Sequence, residues 1–258
     1  GALDAQQSAD VFGFHGLFSA DPSGAPTGGI AFLIRPSTTQ LKREDLQISP
    51  IHPARAALLH VQNLDAISSI INIHAPNVDR STFFKDVQQR IQEMTNDPDA
   101  RPPLALDALL VAGDFNCVTN ARLDLSRLRH TTSPYDNSGA ADLQNLISLL
   151  ELHDVFRTNH PEEKRFTWGL DSVHRPKVRL DRWYAPLHHT HQTETHIDGS
   201  WQSDHLGVAL TLSPPGEPPT RGNQARKRRA RLTVLDAPAT DRLLTDASDT
   251  SFPLDPIT

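Results

Sequence analysis

Ala108-Leu109-Leu110-Val111-Ala112-Gly113-Asp114-Phe115-Asn116 decides how this chain reads. Five apolar residues predict a short buried strand. Gly113 then allows the backbone a sharp exit. In extended chain, alternate side chains face the same way, so Asp114 and Asn116 are expected to project together while Phe115 packs inward. Two further stretches end in the same manner, Val178-Arg179-Leu180-Asp181 and Ser203-Asp204-His205. Three carboxylates, an amide and an imidazole thus stand at the ends of, or beside, strand-like segments. A carboxylate beside an amide can hold and orient a water. Asp204 can ligate a hard cation through oxygen. His205 can contact phosphate or move a proton, and Asp181 is the natural group to fix its tautomer and favour its charge. The set suits cleavage of a phosphate ester with a divalent metal.

Working outward, Gly29 to Arg35 reads as a buried strand stopped by Pro36. Arg55 to Val61 and Ile67 to His74 read as two strands of a hairpin. Ser81 is placed to cap a helix with Phe84, Val87, Ile91 and Met94 on one stripe. A second helix carries Leu143, Leu146, Ile147 and Leu150. Phe166-Thr167-Trp168, Val178 to Tyr184 and Leu206 to Leu212 are further strand candidates, and residues 1–26 read as irregular. Strands dominate and helices are few, which predicts layered α+β with sheet packed on sheet and helices outside.

Composition narrows the function. No run of 18 apolar residues occurs, so no membrane helix is expected. A single cysteine, Cys117, excludes an internal disulfide and any Cys-cluster zinc site. It fits a reducing, intracellular compartment. Residues 1–212 carry 18 Lys+Arg against 25 Asp+Glu, a net of −7, which argues against tight non-specific nucleic-acid binding by bulk charge. Residues 157–182, leading into Asp181, reverse the balance with seven basic and four acidic groups. After Leu212 the chain turns Pro-rich. It then runs Arg226-Lys227-Arg228-Arg229-Ala230-Arg231, which reads either as a nuclear-localisation or nucleic-acid patch or as a solvated tail. His188, His189, His191 and His196 read as a solvated loop, because no second ligand set accompanies them. Trp168 and Trp201 can stack on bases or pack in the core.

Taken singly the motifs are ordinary turn sequences. Their order and strand context give a resemblance. The chain resembles the endonuclease/exonuclease/phosphatase (DNase I-like) superfamily, over roughly residues 11–212. The resemblance rests on Ile71 to Asn77, Gly113 to Asn116, Arg179-Leu180-Asp181 and Ser203-Asp204-His205. Within it, the chain is most similar to the endonuclease domain of non-LTR (LINE-type) retrotransposon polyproteins. The added carriers are Gly113 to Val118, Leu152-His153-Asp154-Val155-Phe156-Arg157 with His160-Pro161, and Phe166-Thr167-Trp168.

The resemblance implies a four-layer α/β sandwich of two packed, mainly antiparallel sheets with outer helices, N-terminally truncated. It implies one domain at 1–212, and a disordered linker or tail at 213–258 ahead of a reverse transcriptase domain. It implies DNA nicking with Mg²⁺ or Mn²⁺. Asp114 would activate the water and Asn116 position it. Asp204, with Asp114 and Asn116, would hold the metal, and His205 paired with Asp181 would stabilise the phosphate. An apurinic-site repair nuclease, another superfamily phosphoesterase and a non-catalytic relative stay open. The superfamily's usual Tyr is His74 here, which can still donate a hydrogen bond. Its usual early Asn and metal-ligating Glu have no counterpart in residues 1–28, so the domain is expected to lack that first strand. The inositol phosphatases' Trp-Cys-Asp-Arg is Arg179-Leu180-Asp181-Arg182 here, which disfavours that branch.

Overall fold

The computed structural model describes residues 14–19, 29–35, 39–62, 67–97, 104–126, 135–170, 176–190, 193–198, 203–212 and 230–234. In chain order the first strands are β1 (His15–Ser19), β2 (Ile30–Ile34), β3 (Leu46–His52), β4 (Ala56–Val61) and β5 (Ser69–His74). Helix α1 (Arg80–Asn96) and β6 (Leu109–Asp114) follow. Then come α2 (Ala121–Asp124), β7 (Leu125–Ser126), α3 (Ala140–Leu149), β8 (Leu152–Asp154) and α4 (Val155–Asn159). The rest are β9 (Lys177–Val178), β10 (Asp181–Pro186), α5 (Leu187–Thr190), β11 (Thr193–Asp198), β12 (Gly207–Leu212) and β13 (Ala230–Val234).

A six-stranded sheet in the order β3-β4-β5-β6-β10-β8 is the frame. It is mainly antiparallel, as expected. The exception is β5 beside β6, whose parallel pairing is made possible by the α1 crossover. Its inner strands β4, β5 and β6 read as largely continuous apolar runs because both faces are covered. Ile71, Ile73, Leu109 and Val111 face a layer built from Phe83, Phe84, Val87, Leu143 and Leu146 of α1 and α3. Ile70, Leu110, Ala112 and Trp183 face Leu17, Phe32, Val208 and Leu210 of the smaller sheets β1-β2 and β11-β12-β13. Helix layer, central sheet and second sheet layer are therefore stacked. Each fully buried Leu, Ile or Phe here contributes about 1.5–3 kcal/mol by removal from water.

Several local expectations are corrected. Ser81 does not cap α1. Asp79, in the left-handed region at φ 55°, occupies that position without a side-chain cap, and Ser81 lies in the first turn. Residues 15–19, expected to be irregular, pair with β2. The edge strand β3 was hidden by Pro50, which an edge tolerates beside a bulge. Phe166 to Trp168 is no strand and contributes only isolated bridges, from Trp168 to Val178 and to His205. Val178 to Tyr184 is broken at Arg179-Leu180 into β9 and β10. The histidine-rich stretch is a short helix and a strand rather than a loop, with His188 and His189 rings 4.2 Å apart; His191 lies outside the described residues. Ala230–Val234, within the segment expected to be disordered, pairs antiparallel with β12. The remainder of 213–258, residues 1–13 and Trp201 lie outside the described residues.

Candidate active site

The polar ends of β5, β6 and β10 meet at one end of the central sheet's inner strands. Their register puts His74 beside Asp114 and Asp114 beside Asp181. His74, Asp114, Asn116, Asp204 and His205 line one cleft of about 480 Å³. Asp181 sits behind it, buried, and accepts from His205 Nδ1 at 2.9 Å. All six expected residues are thus brought together, although they span positions 74 to 205.

Asn116 arrives by a different route from the one strand alternation suggested. β6 ends at Asp114, and Asn116 is left-handed at φ 48°. Its N–H donates to Asp114 Oδ1 at 2.9 Å, closing a tight turn, and its Nδ2 donates to Ala75 O at 2.6 Å. Asp and Asn are the types that tolerate and stabilise such a turn. The amide's Oδ1 remains as an acceptor. Gly113, at φ +141°, is required here, since a Cβ would sit 1.8 Å from Ile73 O.

Electrostatics separate the groups. Burial, then the nearby charge of Asp181, push the Asp114 carboxyl up to about 7, against the opposing pull of His205 and Arg182. Burial works against charge on His205, but the hydrogen bond and charge of Asp181 outweigh it and raise the imidazole to about 9. The site therefore holds a proton acceptor poised near neutrality beside a stable imidazolium.

Asp114, Asp181 and His205 are the one group among the described residues whose ligand-type atoms all lie within 4.8 Å of one another. The expected metal set, Asp114, Asn116 and Asp204, differs from it. Asp204 is exposed on the cleft wall and accepts from Trp168 Nε1 at 3.0 Å. Within the first group Nδ1 of His205 is committed to Asp181, which leaves that pair as an ion-paired unit. Asp114, Asn116 and Asp204, with Asn77 and Asp136 elsewhere on the lining, bring hard oxygen donors to the cleft, and by donor chemistry they fit a hard divalent cation.

No family model matches the chain. A curated relative, the transposon TX1 uncharacterized 149 kDa protein of Xenopus laevis, is 28% identical over 174 residues. That match covers 66% of this chain and spans only 12% of the relative's length. Among solved structures, the chain superposes on the endonuclease domain of TRAS1, a telomere-specific non-LTR retrotransposon, with TM-score 0.54 at 12% identity. The match covers 79% of this chain and 81% of that one. The 3'-5' exonuclease NExo of Neisseria meningitidis gives 0.57 at 19% identity, covering 78% and 80%. An AP endonuclease of Archaeoglobus fulgidus gives 0.58 at 16%, covering 78% and 80%. The fold is DNase I-like.

Several cleft-shaping residues of this DNase I-like domain were not singled out as site residues in the sequence. Thr167 is fully buried, and its Oγ1 accepts from the amides of Leu180 at 2.9 Å and Asp181 at 3.1 Å. Its carbonyl accepts from Leu206 N at 2.7 Å, so one threonine anchors both halves of the His205–Asp181 pair. Arg80 is buried at the start of α1 and lines the cleft. It donates to the carbonyls of Asn77, Asp136 and Ser138 and pairs with Asp136. Tyr135 and Trp168 complete the wall. The Phe166-Thr167-Trp168 wording carried a signal, but it was read as a strand. Arg80 carried none, since an Arg at a helix start reads as solvated.

Proposed function

We propose that the chain hydrolyses phosphodiester bonds in DNA with a divalent metal, as a nicking endonuclease domain of a retroelement polyprotein. The observation that carries this is the His205–Asp181 pair set beside the poised Asp114 at the base of one cleft. The curated relative, a transposon protein far longer than this chain, supports the polyprotein setting. In that setting a reverse transcriptase domain follows.

Asp114, Asn116 and Asp204 would hold the cation, Mg²⁺ or Mn²⁺, and its charge would offset that of the phosphate. Asp114 takes a proton from the attacking water. Asn116 Oδ1 orients that water by accepting its second hydrogen. The imidazolium of His205, held through Nδ1 by Asp181, presents its other N–H to a phosphate oxygen, and His74 adds a second donor from β5. The water oxygen bonds to phosphorus and one P–O ester bond breaks; the leaving oxygen takes a proton from solvent to become the alcohol, Asp114 returns its proton to solvent, and a phosphate monoester remains. Removing any one of these groups is expected to cost about a hundredfold or more in rate.

The test is plasmid nicking across a Mg²⁺ titration, with EDTA as control and an abasic-site duplex in parallel. Metal-dependent relaxation of plain supercoiled plasmid is expected. Cleavage of the abasic duplex alone would replace this reading with a repair nuclease. Absence of cleavage on both substrates would leave a non-catalytic relative.

A further inference from the structure

β10 turns one face, Asp181 and Trp183, to the second sheet layer and the other, Arg182 and Tyr184, to the helix layer. Arg182 is 1% exposed. Its position on β10 is opposite Gly113, the residue before Asp114. Its Nη2 donates to Cys117 O at 2.6 Å and to Arg179 O at 2.7 Å. Among the described residues neither Nε nor Nη1 has a hydrogen-bond partner, and the buried hydroxyl of Tyr184 has none either. A guanidinium taken wholly out of water and left with two donors unmatched does not stabilise a fold; an apolar side chain of the same volume would serve stability better. The residue is held at a cost, and what it does gain is the join between two carbonyls and a place over the Phe115 ring, 5.8 Å from its centroid.

Those carbonyls belong to the two segments that carry the site. Cys117 ends the turn that presents Asp114 and Asn116. Arg179 begins the break from which Asp181 emerges. The β6–β10 ladder ends at the Asp114–Asp181 pair, and just beyond it Phe115 N–H donates to Leu180 O at 3.1 Å. We infer that Arg182 is a positioning residue. It clamps the Phe115–Cys117 turn to the Arg179–Leu180 segment just beyond the last ladder pair, and so holds Asn116 in place beside Asp114 and the His205–Asp181 pair. The inference rests on the proposed hydrolysis for its effect on rate, and on the fold alone for its effect on the turn.

The test compares wild type with Arg182→Met, which keeps volume and drops both bonds, and Arg182→Lys, which keeps a donor and the charge. In Arg182→Met the Phe115 amide is expected to exchange hydrogen about tenfold faster or more, while Leu58 and Ile71 amides in the frame keep their protection. The melting temperature should hold or rise. Nicking should fall roughly tenfold to a hundredfold in kcat with KM little changed, the effect of a misplaced group rather than a lost contact. Arg182→Lys should recover part of both losses. Unchanged Phe115 exchange in Arg182→Met would overturn the inference, and so would a general loss of protection reaching Leu58 and Ile71, which would make Arg182 a packing residue. If the wild-type chain cleaves nothing, the proposed hydrolysis fails, and the exchange comparison still decides whether Arg182 holds the turn.

Discussion

His205 Nδ1 lies 2.9 Å from Asp181 Oδ2, across 24 residues of sequence. The pair is partly buried, so the charge of Asp181 acts on the imidazole with little screening. Much of the site's chemistry follows from this contact and from the buried Asp114 beside it.

The first consequence is a pH limb. The imidazole is raised to about 9, so the charged form persists through neutrality. Nicking should decline as pH rises past about 9 in wild type. In Asp181→Asn the limb should move down toward the ordinary histidine value of about 6.5. Stability follows the same sign. A raised folded pKa contributes fully below about 6.5 and its contribution is lost as pH rises through about 9. A pH–rate profile and an NMR titration of His205 would show both. An unmoved limb in Asp181→Asn would refute the coupling.

Asp114 gives the opposite test, on stability. Its carboxyl is raised to about 7 from an unfolded value of about 3.9. Protonation of the folded state is therefore favoured, and that stabilisation is lost as pH rises from about 4 through about 7. Asp114→Asn stays neutral. In EDTA its melting temperature should exceed that of wild type by more at pH 8 than at pH 4, while nicking falls on the order of a hundredfold or more. Equal differences at the two pH values would mean that Asp114 is not held against ionisation.

Trp168 supplies an optical reporter of metal binding, because its indole N–H is bonded to Asp204. Mg²⁺ recruited by Asp204 should disturb that bond and change Trp fluorescence. Trp168→Phe should lose the signal, and Asp204→Ala should weaken Mg²⁺ binding measured by calorimetry. A fluorescence response that survives in Trp168→Phe would place the reporting tryptophan elsewhere.

The ion-pair network behind the site should dominate stability. Asp124 is fully buried and accepts from both Arg179 and Arg157, and Arg179 also reaches Asp154. The Arg179 guanidinium pulls the Asp124 carboxyl below its ordinary value, overcoming burial. Asp124→Ala takes a shared carboxylate from two guanidinium groups, leaving Arg179 only Asp154 and Arg157 only carbonyl oxygens, and should cost about 3–5 kcal/mol in urea unfolding. Arg122→Ala breaks only the exposed pair with Glu162 and should change stability by about 0.5 kcal/mol or less. Similar losses in the two variants would contradict this ranking.

Much of the frame was legible in the residues. Leu109 to Ala112 and Ile70 to Ile73 are apolar at every position but Asn72, and only strands covered on both faces need that. The helical stripes of α1 and α3 were legible for the opposite reason, a solvent face alternating with a buried one. The edge strand β3 was not, because an edge accepts Pro50 and a bulge that a central strand would reject. The bridge at Trp168 was not, because its partners Val178 and His205 are remote in sequence.

By itself, then, the sequence determined which segments enter the core and which polar residues stand where those segments end. Apolar periodicity and the turn preferences of Gly, Asp and Asn are local properties. Tertiary structure alone decided the left-handed turn at Asn116 and the clamp of Arg182 on two carbonyls. It also decided the proton affinity of Asp114. Desolvation and the charge of a neighbour are properties of the assembled surroundings, and no residue carries them until sheet register has set Asp114 beside Asp181.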